Sequence, residues 1–453
     1  MTDKMPDLGP GHLHARLIEK LADSLSRPLP IFTPRKVFGA GSIPGKATAV
    51  IGMRRAGKTT YLHQLRQERI DQGIARERLP YINFEDERLA GLSAEHLHPL
   101  VEEYYRHHPE LRGKETVTWC FDRIQVVPGW ERFVRRLLDS EKVEIFITGS
   151  SSALLSLEIA TALRGWAWEV VIHPFSFEES LRHRGQAVPQ RPDFLSSTAR
   201  STLERAFLDY LDVGGFPEAQ GLESATRSQL LRDYVDVAML RDVVERHAVT
   251  NVAGLRWLVR HLLGNAAAMF SVEKFYAALK SQGFAISKDT VHELLSYLEG
   301  CFLVRVIWMH AASERQRMVN PRKAYPVDPG LIPIFDRTGR ANTGHSLETV
   351  VLIELERRRL QVSYLRTPQG HDVDFLVRYP GGHMELIQVC ADAIDPGTAE
   401  RELRALVEAG RHFKKATKRM LTLTRDGTIR QAPGDIIIQP AYEWLLSGSA
   451  TIE

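Results

Sequence analysis

Residues 52–59 read Gly-Met-Arg-Arg-Ala-Gly-Lys-Thr, the spacing GxxxxGK[ST]. Glycines in such a loop let backbone N–H groups approach and cradle phosphate oxygens. Lys58 would reach the β and γ oxygens, and the Thr59 hydroxyl would ligate Mg²⁺. With glycine at about 7% of residues, a chance match is expected in only about one or two chains per hundred. The flanks fit as well, since the apolar run ATAVIG precedes the loop and the helical pattern TTYLHQLRQERIDQG follows it. The loop is therefore expected to bind ATP with Mg²⁺ through Gly52, Arg54, Arg55, Ala56, Gly57, Lys58, Thr59 and Thr60.

Around this loop the chain alternates short apolar runs with helical patterns. The runs are ATAVIG (47–52), LPYINF (79–84), TVTWCF (116–121), VEIFITG (143–149) and WEVVIHP (168–174), each too short for a helix. Buried strands alternating with helices predict an α/β fold with a doubly wound parallel sheet. A lead-in helix (HLHARLIEKLADSLS) and a Pro-rich linker occupy 1–44, and the domain spans 45–190.

A loop of this kind needs a partner strand ending in an acid that holds Mg²⁺ through water. TVTWCF followed by Asp122 supplies it. In many such proteins the next residue is Glu, which orients the attacking water; here it is Arg123, and an arginine cannot act as a base near neutral pH. Two features are placed to compensate. Glu85, Asp86 and Glu87 follow the second strand at the carboxyl edge of the sheet, where ligands bind; the alternative is a charge cluster at a helix start. Thr148 and Ser150 end the fourth strand, where a γ-phosphate would be sensed.

From about 200 to 265 the pattern is helical. Then come VEKFYAALKSQG, a helix capped by Ser287 (KDTVHELLSYLEG) and the strand FLVRVIW, which together resemble a winged helix. This gives 200–335 as a helical lid and winged helix. Ser287, Lys288 and Thr290 would enter a major groove of double-stranded DNA, and Arg315, Arg317, Arg322 and Lys323 would contact phosphates. The alternative is a solvated face on a protein-binding winged helix. Residues 340–453 form a small α/β unit, and its basic cluster Lys414, Lys415, Lys418 and Arg419 reads as a solvated helix end.

Composition sets the outer limits. Of 453 residues, 43% are hydrophobic and 25% charged, which excludes global disorder. A net charge of +3 does not by itself imply a polyanion partner. Cys120, Cys301 and Cys390 are far apart and odd in number, which argues against a disulfide framework and favours a reducing compartment. None of the 17 histidines pairs in a zinc spacing such as HExxH, and His107-His108 reads as a surface pair. No secretory signal or membrane span is visible, so a cytoplasmic protein is expected.

The segments IGMRRAGKTTYL, YINFEDERL, CFDRIQVVPGWERFVRRLLD, ITGSSSALLS, HPFSFEESL, YLDVGGFPEA, KAYPVDPGL and DVDFLV together resemble a family of prokaryotic AAA+-type ATPases, related to archaeal-type and STAND ATPases. In that family a P-loop core and a winged helix precede a restriction-endonuclease-like domain of the PD-(D/E)XK type. The resemblance covers most of 45–425. It implies a Mg²⁺ site on Asp374, assisted by Glu348, with a Glu-x-Lys pair on the next strand. That pair reads Gln388-Val389-Cys390 here. A neutral amide is a poor Mg²⁺ ligand and a thiol cannot replace an ammonium, so 340–453 is expected to be degenerate as a nuclease. A Gly-Arg pair after the sensor segment is also replaced, by Gly165-Trp166, with Arg164 one residue upstream.

The expectation is an ATP-binding protein whose nucleotide state controls assembly or DNA contact, with slow or absent hydrolysis. A homo-oligomer or a protein partner would supply the assembly. The alternatives are a DNA-binding regulator with ATP as a structural ligand, and an ATP-regulated nuclease.

Overall fold

The computed structural model describes residues 10–149, 163, 165–336, 342–393, 395–425 and 433–447. The chain divides into two compact units, residues 1–172 and 173–453.

The first unit holds a five-stranded parallel sheet of β1 (Ala47–Ile51), β2 (Tyr81–Asn83), β3 (Val117–Asp122), β4 (Val143–Thr148) and β5 (Ala167–Val171), in the order β2-β3-β4-β1-β5. β1 and β3 are buried at every residue, as their unbroken apolar runs require when both faces are covered. Helices Lys58–Asp71 and Trp130–Ser140 pack on the sheet, and helix Pro10–Ser26 packs beside β2 and on helix Ala94–His107. Parallel strands place all carboxyl ends on one edge. Because β4 lies between β1 and β3, its last residue Thr148 stands between the loop after β1 and Asp122 at the end of β3.

The second unit begins with helices Phe177–His183, Ser197–Val213 and Ser224–Val237, the last running into a π-helical stretch, Ala238–Glu245. Helix Val252–Gly264, β6 (Met269–Phe270), helices Val272–Ser281 and Lys288–Gly300, β7 (Val304–Ile307) and β8 (Arg322–Pro326) follow. These strands form an antiparallel sheet in the order β6-β8-β7.

Helix Thr343–Arg357 then leads to β9 (Gln361–Arg366), β10 (Asp372–Arg378) and β11 (Met384–Cys390), which pair antiparallel. Helix Pro396–His412 leads to β12 (Thr417–Thr422) and β13 (Ile436–Pro440), which add in parallel. One face of this sheet packs on Leu347, Val351 and Leu355, and the other on Leu403, Leu406 and Ala409. The β9–β10 register shifts between Val373 and Leu376, an irregularity that re-aims the side chains beside Asp374.

Phe177, Phe207 and Tyr210 share the core of Val351, Phe375 and Tyr442. Residues 177–190, expected to close the first domain, thus pack with the C-terminal sheet. Three quoted motifs meet here. Asp328 is 1% exposed and accepts hydrogen bonds from Gly215 N (2.7 Å) and Gly330 N (3.0 Å). Phe175 N donates to Gly215 O (2.6 Å), and the Tyr210 hydroxyl donates to Phe175 O (2.8 Å). HPFSFEESL, YLDVGGFPEA and KAYPVDPGL are in contact because they build one buried crossing of the chain.

Candidate functional site: a phosphate loop with an arginine beside its acid

The loop after β1 is shaped by its glycines. Gly52 has φ 136°, and a Cβ there would lie 2.2 Å from Ile172 O, so no side chain fits. Gly57 takes a left-handed conformation, φ 102°, as N-cap of helix Lys58–Asp71. Backbone N–H groups in the first turn of a helix have no acceptor within the helix and suit the oxygens of a phosphate. The Lys58 ammonium arches over the loop and donates to Gly52 O (2.8 Å) and Met53 O (2.9 Å). Ala56 is buried and Arg55 exposed, while Arg54, Thr59 and Thr60 are half-buried.

Sequence reasoning missed what braces this loop from behind. Arg35, in the Pro-rich linker, donates from Nη1 to Ala56 O (2.8 Å). Its backbone N donates to Gln64 Oε1 (2.7 Å), and Gln64 Nε2 donates back to Arg35 O (2.8 Å). A basic residue in a linker gives no sign of this role.

Asp122 is 1% exposed. One of its oxygens accepts from the Tyr81 hydroxyl (2.8 Å), and the other accepts from the Thr148 hydroxyl, which itself accepts from Arg123 N (3.0 Å). Thr148 therefore ties the β3 and β4 ends together. His63 lies against Tyr81, ring centroids 4.6 Å apart, and burial pushes its imidazole down to about 4, so it is neutral at pH 7. Ser150 and Arg164 lie outside the described residues. Trp166 is partly exposed and accepts from Ala47 N at the start of β1.

The acidic trio divides. Glu85 Oε1 accepts from Arg123 Nη1 at 2.6 Å, with both side chains partly exposed. Arg123 thus covers the carboxylate that was expected to substitute for a missing base. Asp86 caps the turn Glu87–Leu89 and pairs with Arg88 (2.8 Å) and Lys20. The Arg88 guanidinium beside it, with Lys20, holds its carboxyl well below the usual range. Asp86 is structural, and Glu87 begins the turn it caps.

In the second unit, Lys323 is 6% exposed. It is a buried ion-pair partner rather than the phosphate contact expected of it, because β8 alternates. Arg322 points outward, its guanidinium 3.7 Å from the Trp308 ring centroid, and Lys323 points in. Arg315 and Arg317 are exposed on a short helix, Glu314–Val319, and Lys288 is exposed but paired with Glu273. Of the C-terminal basic cluster, Lys418 and Arg419 lie on β12, paired with Asp435 and with Glu385; they do not form a solvated helix end.

The loop's donors suit nucleotide phosphates. The Thr59 hydroxyl and Asp122 carboxylate are hard oxygen ligands of the kind Mg²⁺ takes alongside phosphate. Among the described residues no group of three or more His, Cys, Asp or Glu is arranged to hold a metal, and no helix is long and apolar enough to cross a membrane.

Comparison with known proteins agrees with this geometry. Residues 44–181 match the family model of an AAA domain, and residues 204–340 match a domain of unknown function (DUF8612). The fold of this region is that of an AAA-type P-loop ATPase domain. An uncharacterized protein of Methanocaldococcus jannaschii is 32% identical over 416 residues, 89% of each chain. The chain belongs to one family with that archaeal protein. An uncharacterized protein of Haemophilus influenzae is 29% identical over 73% of this chain and 78% of its own. Among solved structures, a Walker-type ATPase of Pyrococcus abyssi is similar at 15% identity and a TM-score of 0.38, over 71% of this chain and 94% of its own.

Proposed function

We propose that this protein binds ATP with Mg²⁺ at the loop 52–60, hydrolyses it slowly, and uses nucleotide state to control its assembly or its contact with double-stranded DNA. The observation that carries the reading is a complete phosphate loop whose acid, Asp122, is followed by an arginine engaged with Glu85. Mg²⁺ would neutralise charge on the phosphates. Lys58 and the helix N-terminus bind and orient them, Asp122 holds the metal's water, and Thr148 fixes Asp122. While Arg123 holds Glu85, that carboxylate is not free to take a proton from water, and losing a general base typically costs about 10²–10⁴-fold.

Steady-state phosphate release tests this. Arg123→Ala should raise turnover at least about tenfold by releasing Glu85, and Glu85→Gln on that background should cancel the gain. Arg123→Glu, which puts a carboxylate directly after Asp122, should also raise it. Unchanged turnover in all of these, with ATP still bound, would remove Arg123 from the account. The same pair supports a second reading, in which ATP is a structural ligand of a DNA-binding regulator. DNA affinity that survives Lys58→Ala would favour that version.

DNA contact rests on the order helix, strand, two helices, strand, short helix, strand over 252–326, which supports a winged helix, and on the exposed Arg315 and Arg317. Fluorescence anisotropy with duplex DNA should show Arg315→Ala/Arg317→Ala weakening binding for all sequences and reducing the salt slope by about two. An unaltered slope would move the contact elsewhere. The topology of 343–440, a helix, three antiparallel strands, a helix and two parallel strands, supports the nuclease-like fold. Nuclease chemistry is not proposed.

A further inference from the structure

A nuclease-like fold implies Mg²⁺ at Asp374 and its neighbours, and the residues here do not fit it. Lys323 Nζ donates to Glu348 Oε1 at 2.8 Å and to Asp374 Oδ1 at 2.8 Å, so one ammonium already bridges the two carboxylates. The rest of the pocket is equally committed. The Tyr325 hydroxyl donates to Glu348 Oε1 (2.7 Å), and Asp374 Oδ2 accepts from Val389 N (3.0 Å). Gln388 Oε1 accepts from Asp374 N (3.3 Å), while its Nε2 donates to Glu402 Oε2 (2.6 Å). Cys390 is buried, and burial lifts its thiol to about 11, so it offers no thiolate.

We propose that Lys323 is the built-in counter-ion of this pocket: its ammonium holds Glu348 and Asp374 together where a divalent cation would, and excludes that cation from the native protein. Placement supports this. Lys323 and Tyr325 alternate on β8, so both project to one side of the strand. β8 is paired on both flanks, by β6 and β7, so its main chain is anchored independently of the carboxylates. The lysine thus comes from the three-stranded sheet and its partners from the helix Thr343–Arg357 and from β10. The bridge joins these elements within the second unit. Burial opposes the ammonium's charge, and the two carboxylates outweigh burial and raise its affinity for the proton. A cation entering would have to displace a charge that cannot diffuse away.

The inference does not rest on the nucleotide reading and is tested on the full-length protein without nucleotide, with Mn²⁺ as the probe. Wild type should bind no Mn²⁺ at this pocket by paramagnetic resonance titration and should melt at the same temperature in EDTA and in excess Mn²⁺. Lys323→Met should melt lower in EDTA and regain part of the loss in Mn²⁺, and that recovery should vanish in Lys323→Met/Asp374→Asn. Nucleotide-free wild type that binds Mn²⁺ in a manner lost with Asp374→Asn overturns the proposal, as does a folded Lys323→Met that gains nothing from Mn²⁺. If Lys323→Met does not accumulate folded, the double variant decides. Removing one of two unbridged like charges should improve folding relative to Lys323→Met alone, and equal failure would show that the lysine stem, not its charge, is what the pocket needs.

Discussion

Lys58→Ala should lower ATP affinity, and with it any turnover, by about 10²–10³-fold while leaving the melting temperature of the apo protein nearly unchanged. The split follows from where Lys58 sits. It is the first residue of helix Lys58–Asp71 and half-buried, and its ammonium lies over the loop on Gly52 O and Met53 O. Truncating it opens no cavity, and each of the two lost hydrogen bonds is worth about 0.5–1.5 kcal/mol net, part of which water restores. Charge-assisted bonds to phosphate are stronger and find no such replacement. The loop's shape depends on the Gly52 backbone conformation and on the Arg35 and Gln64 hydrogen bonds behind it, which the substitution leaves in place. Isothermal titration with MgATP beside a melting curve separates the two effects. ATP affinity equal to wild type would mean that the loop is not the nucleotide site. Thr59→Ala should weaken MgATP binding and leave Mg²⁺-free ATP binding unchanged, which isolates the metal's share.

What could be read in advance was whatever is local in the chain. The loop, the acid at the end of β3 and Thr148 at the end of β4 each follow an apolar run, so strand ends and site residues are adjacent in sequence and their shared edge follows from parallel pairing. Arg123 was visible as a departure. Its bond to Glu85 was not, because 38 positions separate them and each residue alone suits an exposed strand end. Arg322 and Lys323 look like one basic patch in sequence. The period of two along β8 sends one onto Trp308 and the other into a carboxylate pocket, and nothing local marks which is which. Arg35 looks like linker. Phe177 and Leu181 carry an amphipathic pattern that fits any core, and only their tertiary partners, Phe207 and Tyr442 among them, show which core they join.

The crossing around Asp328 should prove the most sensitive structural point of the second unit. Asp328→Ala is expected to destabilise it by about 3–5 kcal/mol, since it leaves two buried backbone N–H groups without an acceptor at about 1–3 kcal/mol each, together with a small void. Gly214→Ala should be comparable by a different route. Gly214 has φ 77° and ψ −169°, a region open essentially to glycine alone, and an added Cβ would lie 1.8 Å from Asp328 Oδ1. Both changes leave the loop at 52–60 untouched, so ATP binding should survive in the fraction that folds. Asp328→Asn separates charge from hydrogen bonding. Burial, resisted by the two N–H donors, pushes the wild-type carboxyl up to about 7. The folded state therefore keeps a proton that the unfolded chain releases near about 4. From about pH 4 to 7 the unfolded state binds fewer protons, so the stability due to Asp328 falls as pH rises and is level above that window. The Asn variant has no such loss: its deficit against wild type should be largest at low pH and should narrow toward pH 7 in denaturant titrations. A deficit independent of pH would show that the carboxyl is ionised throughout, held by its two backbone donors, and that hydrogen bonding outweighs burial at this crossing.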